Sequence, residues 1–109
     1  MVVPREYKPE FLYLTTVGWK SDKPHEIEIW YVAHDNCFYL IAEGREESHW
    51  VKNIQQNPLI SFWVQGQTYK GTGRALDRAT EPELAQTISA LMQAKYKWSD
   101  GLIVELCPE

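Results

Sequence analysis

Short apolar blocks separated by polar turns run along most of the chain, and the period of two that marks a strand dominates. Residues 11–16 (Phe-Leu-Tyr-Leu-Thr-Thr) read as a first strand that gives way to a polar loop over 17–24. In residues 25–33 the alternation is plain, with Ile27, Ile29 and Tyr31 on one face and Glu26, Glu28 and Trp30 on the other. His34-Asp35-Asn36 has the chemistry of a hairpin turn, because Asp and Asn tolerate left-handed backbone. Residues 37–42 resume an apolar strand. After a polar stretch at 43–47, Ser48 is placed to cap a short helix running to about Gln56. Asn57-Pro58 stops that helix, since proline cannot continue the ladder and restricts the residue before it. Residues 59–64 and 67–76 are two further strands about a Gln65-Gly66 turn.

The period then changes. Thr80-Glu81-Pro82-Glu83 is a capping-box pattern with proline in the first turn, opening a helix to about Tyr96. Leu84, Ile88, Leu91, Met92 and Lys95 fall near one face of it, a stripe suited to a core or dimer contact. Residues 101–107 supply a closing strand. About six strands and two helices in this order imply a mainly β fold, a compact barrel with helices covering its ends.

Composition narrows the function classes. A chain of 109 residues is expected to form one domain, 1–109, with a modest core that a homodimer would enlarge. Five Trp, six Tyr and three Phe are many for this size, and large rings wall planar ligands as well as filling barrels. The net charge of −4 lacks the basic excess that nucleic-acid binding needs. No apolar run is long enough to span a membrane. The opening Met1-Val2-Val3-Pro4-Arg5-Glu6 lacks the pattern of a signal peptide, so a cytoplasmic location is expected. Cys37 and Cys107 stand alone in apolar strand patterns, without framework spacing, and are expected to be reduced, buried thiols.

No catalytic triad, metal-ligand spacing or nucleophile elbow is present: His25, His34 and His49 share no ligand pattern, and any hard chemistry falls to a bound cofactor. Two stretches have the make-up of a binding site. In the 17–24 loop, Gly18 permits close backbone approach, while Lys20, Lys23 and Ser21 offer charge and hydrogen bonds to an oxyanion. The same residues also suit an ordinary solvated hairpin loop. In the second stretch, Ala42-Glu43-Gly44-Arg45 leads into a helix start, where free N–H groups gather and Arg45 and Lys52 add charge, or simply lie on the surface. Trp50 is placed to pack that helix onto the barrel.

The run Leu14-Thr15-Thr16-Val17-Gly18-Trp19-Lys20-Ser21-Asp22-Lys23-Pro24 resembles the LTTxGRKSGxPR signature of deazaflavin-dependent nitroreductases and quinone reductases. Trp30-Tyr31-Val32, Trp50-x-x-Asn53, Asn57-Pro58 and Lys95-Tyr96-x-Trp98-x-Asp100-Gly101 fit the same template, so the resemblance covers roughly residues 11 to 107. It implies a split β-barrel, the flavin-reductase-like fold shared with pyridoxamine 5′-phosphate oxidase relatives that bind FMN, and a site at a homodimer interface. Carried over residue by residue, it implies that Lys20 and Ser21 contact the cofactor's phosphate or acidic tail, with His25, Ile27 and Trp30 lining the tail and ring edge. Ala42, Glu43, Gly44 and Arg45 would face the ring, Trp50, Lys52 and Asn53 would close the phosphate side, and Tyr96 would stand on the substrate side. Trp19 and His25 replace arginines of the pattern and Asp22 replaces a frequent glycine. The loss of two tail-binding charges sets FMN, held through Arg45 and Lys52, beside coenzyme F-420 (8-hydroxy-5-deazaflavin). The implied activity is hydride transfer between that cofactor and a small quinone or nitro acceptor; the alternative is a non-catalytic flavin- or haem-binding module of the same fold.

Overall fold

The computed structural model of the chain describes residues 11–109. The opening sequence read against a signal peptide lies outside them. Seven strands and two helices follow in the order β1 (Phe11–Val17), β2 (Pro24–Trp30), β3 (Val32–His34), β4 (Cys37–Ala42), α1 (His49–Gln56), β5 (Leu59–Val64), β6 (Gln67–Ala75), α2 (Pro82–Tyr96) and β7 (Leu102–Pro108), with a 3-10 turn at Arg45–Glu47. The expected second strand is two, because the ladder breaks at Tyr31.

All seven strands form one antiparallel sheet in the order β2-β1-β5-β6-β7-β4-β3. Its two edge strands, β2 and β3, are consecutive in the chain, so the sheet curls back until its edges meet at Tyr31. Asp35 and Asn36 (φ 49° and 67°) make the two-residue turn between β3 and β4. Gln65 and Gly66 (φ 51° and 82°) do the same between β5 and β6, the left-handed pair whose twist suits a tight hairpin.

Two cores sit on opposite faces of this sheet. Leu12, Leu14, Leu40, Phe62, Val104 and Leu106 fill the inside of the curl, where Val51 and Ile54 of α1 plug one end. Tyr39, Ile41 and Ile103 point to the outer face and meet Ala85, Ile88 and Met92 of α2. Strands β4 and β7 are therefore covered on both sides, which is why they read as nearly unbroken apolar runs. Of the α2 stripe, Ile88 and Met92 are buried and Leu91 is exposed.

Neither helix start is built as expected. Ser48 is the N-cap of α1 but makes no side-chain cap bond. The N-cap of α2 is Glu81, not Thr80: the Glu81 carboxylate is taken by Arg74, and Thr80 Oγ1 donates to the Asp77 carbonyl. The cysteines are corrected outright. The β4–β7 register that pairs Phe38 with Leu106 sets Cys37 opposite Cys107, their Cα atoms 4.5 Å apart, and they form a half-buried disulfide. Their separation of 70 residues concealed a pairing that only the antiparallel register creates. Among the described residues, no helix is long and apolar enough to cross a membrane.

Candidate functional site

Where the curled sheet leaves β2 as an edge, two hollows open side by side along that strand. The first, about 590 Å³, is lined by Glu28, Ile29 and Trp30 of β2 and by Ile41, Ala42, Glu43 and Gly44 at the end of β4. Trp50, Trp98 and Phe11 complete its walls. The β4–β7 ladder ends at the pair Ala42–Leu102, so Glu43 and Gly44 lie beyond it. Gly101, at φ 146°, crosses so close to Ala42 that a Cβ there would strike the Ala42 carbonyl oxygen. At Gly44, a Cβ would come within 2.7 Å of Ser48 Oγ, so a side chain would crowd this floor.

The second hollow, about 390 Å³, has mainly apolar walls that carry several charged and polar side chains. Gly18, Trp19, Lys20 and Ser21 line it from the β1–β2 loop, His25, Glu26 and Ile27 from β2, and His49, Trp50 and Asn53 from α1. Trp50 borders both hollows, so the two adjoin along β2 as an aromatic and a cationic part of one surface groove. The loop is held tightly: Gly18 N–H donates to the Lys23 carbonyl at 2.7 Å and Asp22 N–H to the Gly18 carbonyl at 2.9 Å. Asp22 sits at φ 57°, which accounts for the glycine the family pattern favours there. Ser21 Oγ lies 3.3 Å from His25 Nε2 and accepts from Lys23 N–H at 3.2 Å.

Asn53 fixes this loop to α1. Its Oδ1 accepts from Trp19 N–H at 2.8 Å and its Nδ2 donates to Thr16 Oγ1 at 2.9 Å. Both Asn53 and Thr16 are buried, and among the described residues no buried side-chain nitrogen or oxygen lacks a partner. Over the half-exposed Trp19 ring stand two ammonium groups, Lys20 Nζ at 4.7 Å from its centroid and Lys52 Nζ at 5.7 Å. Lys52 also pairs with Glu47 at 3.8 Å.

The expected residues thus fall into three groups. Lys20, Ser21, His25, Ile27, Trp50 and Asn53 meet in the second hollow, and Trp30, Ala42, Glu43 and Gly44 join Trp50 in the aromatic one. Lys52 stands beside the groove on Trp19. Arg45 does not join them: at φ 52° it turns away and donates to Asp100 at 2.9 Å, lining a separate hollow with Asp77 and Arg78. Tyr96 lies behind Trp30, stacked on it at 4.5 Å and 5°. Sequence reasoning did not name Trp19, Ile41 and Trp98 as lining residues, although Trp19 stands at an arginine position of the family pattern and Trp98 in the Lys95-Tyr96-x-Trp98 motif.

The family model of the F420H(2)-dependent quinone reductases matches residues 3–101. The chain belongs to that family. Its members are oxidoreductases that use a deazaflavin, and the fold agrees across solved structures of the same class. An F420-H2 dependent reductase (FDR-A) superposes with a TM-score of 0.63 at 22% identity, over 96% of this chain and 99% of that one. The haem storage protein HutZ from Vibrio cholerae gives a TM-score of 0.74 at 16% identity, over 94% and 83%. A putative pyridoxamine 5′-phosphate oxidase from Listeria innocua gives 0.65 at 14%, over 92% and 84%. At these identities the likeness is one of fold: the split β-barrel expected from the quinone-reductase motifs. No curated protein matches the chain.

Proposed function

We propose that this quinone-reductase family member binds coenzyme F-420 along the groove and passes hydride to a small organic acceptor of the quinone or nitro class. The observation that carries this reading is that the two hollows adjoin at Trp50: an aromatic-walled space lies beside one bearing Lys20, Ser21 and His25. These residues fit such a cofactor. Gly44 keeps the floor clear of side chain, and the crowded Ala42–Gly101 crossing holds that floor in place. Lys20 and Ser21 would hold the phosphate and acidic tail, with Lys52 adding charge beyond Trp19. When bound, the deazaflavin supplies the hydride. The protein's own residues orient and seal: Trp30 and Trp98 wall the ring space and keep water from it, and Glu28, anchored at 2.7 Å by the Tyr13 hydroxyl, fixes the strand along its edge. FMN is the weaker fit, because Arg45, which was to hold its phosphate, is engaged by Asp100 outside the groove.

Titration with reduced coenzyme F-420 and, separately, FMN tests the reading. The expected result is micromolar binding of the deazaflavin, weakened about tenfold and made less salt-sensitive by Lys20→Ala, and its oxidation when a naphthoquinone is added. Flat titrations with both cofactors would refute binding. Tight binding without oxidation by any quinone or nitro acceptor would instead establish a non-catalytic flavin-binding module. The exposed edge strand β2, bonded on one side to β1, also supports a homodimer that covers the groove. Light scattering that returns a monomer mass at micromolar concentration would refute that part.

A further inference from the structure

The last turn of α2 sits against the break in the strand that borders the groove. Tyr31 lies between β2 and β3, outside the paired residues of both, and its backbone N–H and C=O are taken up by two consecutive helix residues instead. Tyr96 Oη donates its single proton to the Tyr31 carbonyl at 2.8 Å and accepts from the Tyr31 N–H at 3.1 Å. Lys95 Nζ donates to the same carbonyl at 2.9 Å. The Tyr96 ring then lies flat on Trp30. One residue later Lys97 enters the left-handed region at φ 59° and ends the helix, and Trp98 meets Trp30 edge-on at 6.1 Å and 69°. Trp30 and Trp98 both wall the aromatic hollow, whereas Tyr96 is not among its lining residues.

We propose that Tyr96 is a positioning residue for the acceptor: by holding the Tyr31 peptide and stacking on Trp30 it fixes the plane of the Trp30 ring, which with Trp98 shapes a slot for flat aromatic acceptors. This rests on the reductase reading above. Tyr96 acts through Trp30. Its hydroxyl proton is directed to the Tyr31 carbonyl. A stacked ring with both ends of the adjoining peptide anchored has little freedom to tilt, and a wall that cannot tilt discriminates by shape.

The test uses 5-fluorotryptophan-labelled protein without cofactor, read by fluorine NMR, with Trp30 and Trp98 assigned by Trp30→Phe and Trp98→Phe. Tyr96→Phe keeps the stack and deletes both bonds to Tyr31. The Trp30 resonance is expected to broaden or shift while those of Trp19 and Trp63 stay in place. Lys95→Met, which leaves the Tyr96 bonds intact, should give a smaller change in the same direction. In the loaded enzyme, Tyr96→Phe should raise KM for a naphthoquinone about fivefold with kcat held within about twofold and its pH profile unmoved. An unchanged Trp30 resonance in Tyr96→Phe would overturn the proposal. So would a kcat loss above about tenfold at constant KM, the mark of a lost proton donor. If wild type itself turns over no acceptor, the reductase reading falls while the NMR result still decides whether Tyr96 sets Trp30.

Discussion

Replacing Asn53 by alanine asks whether this residue grips the ligand or the wall of the groove. The side chain is 4% exposed and Thr16 is 1% exposed, and the truncation deletes the bonds to Thr16 Oγ1 and from Trp19 N–H. A buried hydroxyl stripped of its partner costs about 1–3 kcal/mol. Trp19 N–H faces a hollow that water can enter, so its loss adds only about 1 kcal/mol. The sum is about 2–4 kcal/mol. For 109 residues the unfolding entropy near 60 °C is about 0.23 kcal/mol/K, so the melting temperature should fall by about 8–17 °C. Urea unfolding and circular-dichroism melts measure this directly. In a double-mutant cycle with Thr16→Val, the coupling should be about 1 kcal/mol, because the two residues share one bond. Cofactor affinity should weaken only severalfold, through loosening of the loop that carries Lys20. A melting temperature within about 2 °C of wild type, together with a tenfold loss of affinity, would refute the scaffold role and make Asn53 a ligand contact.

Two other perturbations have signs fixed by the structure. The Cys37–Cys107 bridge closes a span of 70 residues, and removing that constraint from the unfolded chain by Cys37→Ser should cost about 4 kcal/mol at 25 °C; two thiols titrating in unfolded, unreduced protein would contradict the bridge itself. Hydrogen bonds from Arg74 at 2.6 and 2.8 Å hold the Glu81 carboxyl below its ordinary value. A depressed carboxyl contributes stability that is present above the unfolded pKa and lost as pH falls through the folded one. Arg74→Met should therefore lower the melting temperature at pH 7 and flatten its fall in the acid range below 4.5; an acid limb as steep as wild type would count against the pairing.

Strand positions were legible because each has one dominant period. In β2, Ile27 and Ile29 turn inward while Glu26 and Glu28 stay exposed, as alternation demands. The break at Tyr31 was hidden, since Trp30-Tyr31-Val32 is uniformly apolar and nothing local says that the next bond will go to a helix 65 residues on. The cationic half of the groove could be read from one loop, because Lys20, Ser21 and His25 lie within six consecutive residues. Arg45 could not be placed by sequence. Its direction depends on a left-handed backbone and on Asp100, which the last strand brings alongside. Thr80 is a local case: its hydroxyl turns back to the Asp77 carbonyl, and Glu81, held by Arg74 seven residues earlier, stands at the N-cap instead.

The cysteine pairing follows from the fold. The β4–β7 register places the two sulfurs face to face whether or not they are bonded, since it follows from Leu40 and Val104 pairing inside the curl and Ile41 and Ile103 outside it. A one-residue slip would invert every one of those side chains, so the juxtaposition is as secure as the core itself. Oxidation of the pair is then decided by surroundings. Once the bridge is reduced, the strands are held by their ladder and two cores alone. Reduced wild type should therefore lose about as much stability as Cys37→Ser. A groove that binds cofactor only when the bridge is closed would show that the bridge shapes the groove. The groove floor at Ala42 lies at the far end of β4 from Cys37, so cofactor binding should survive reduction of the bridge.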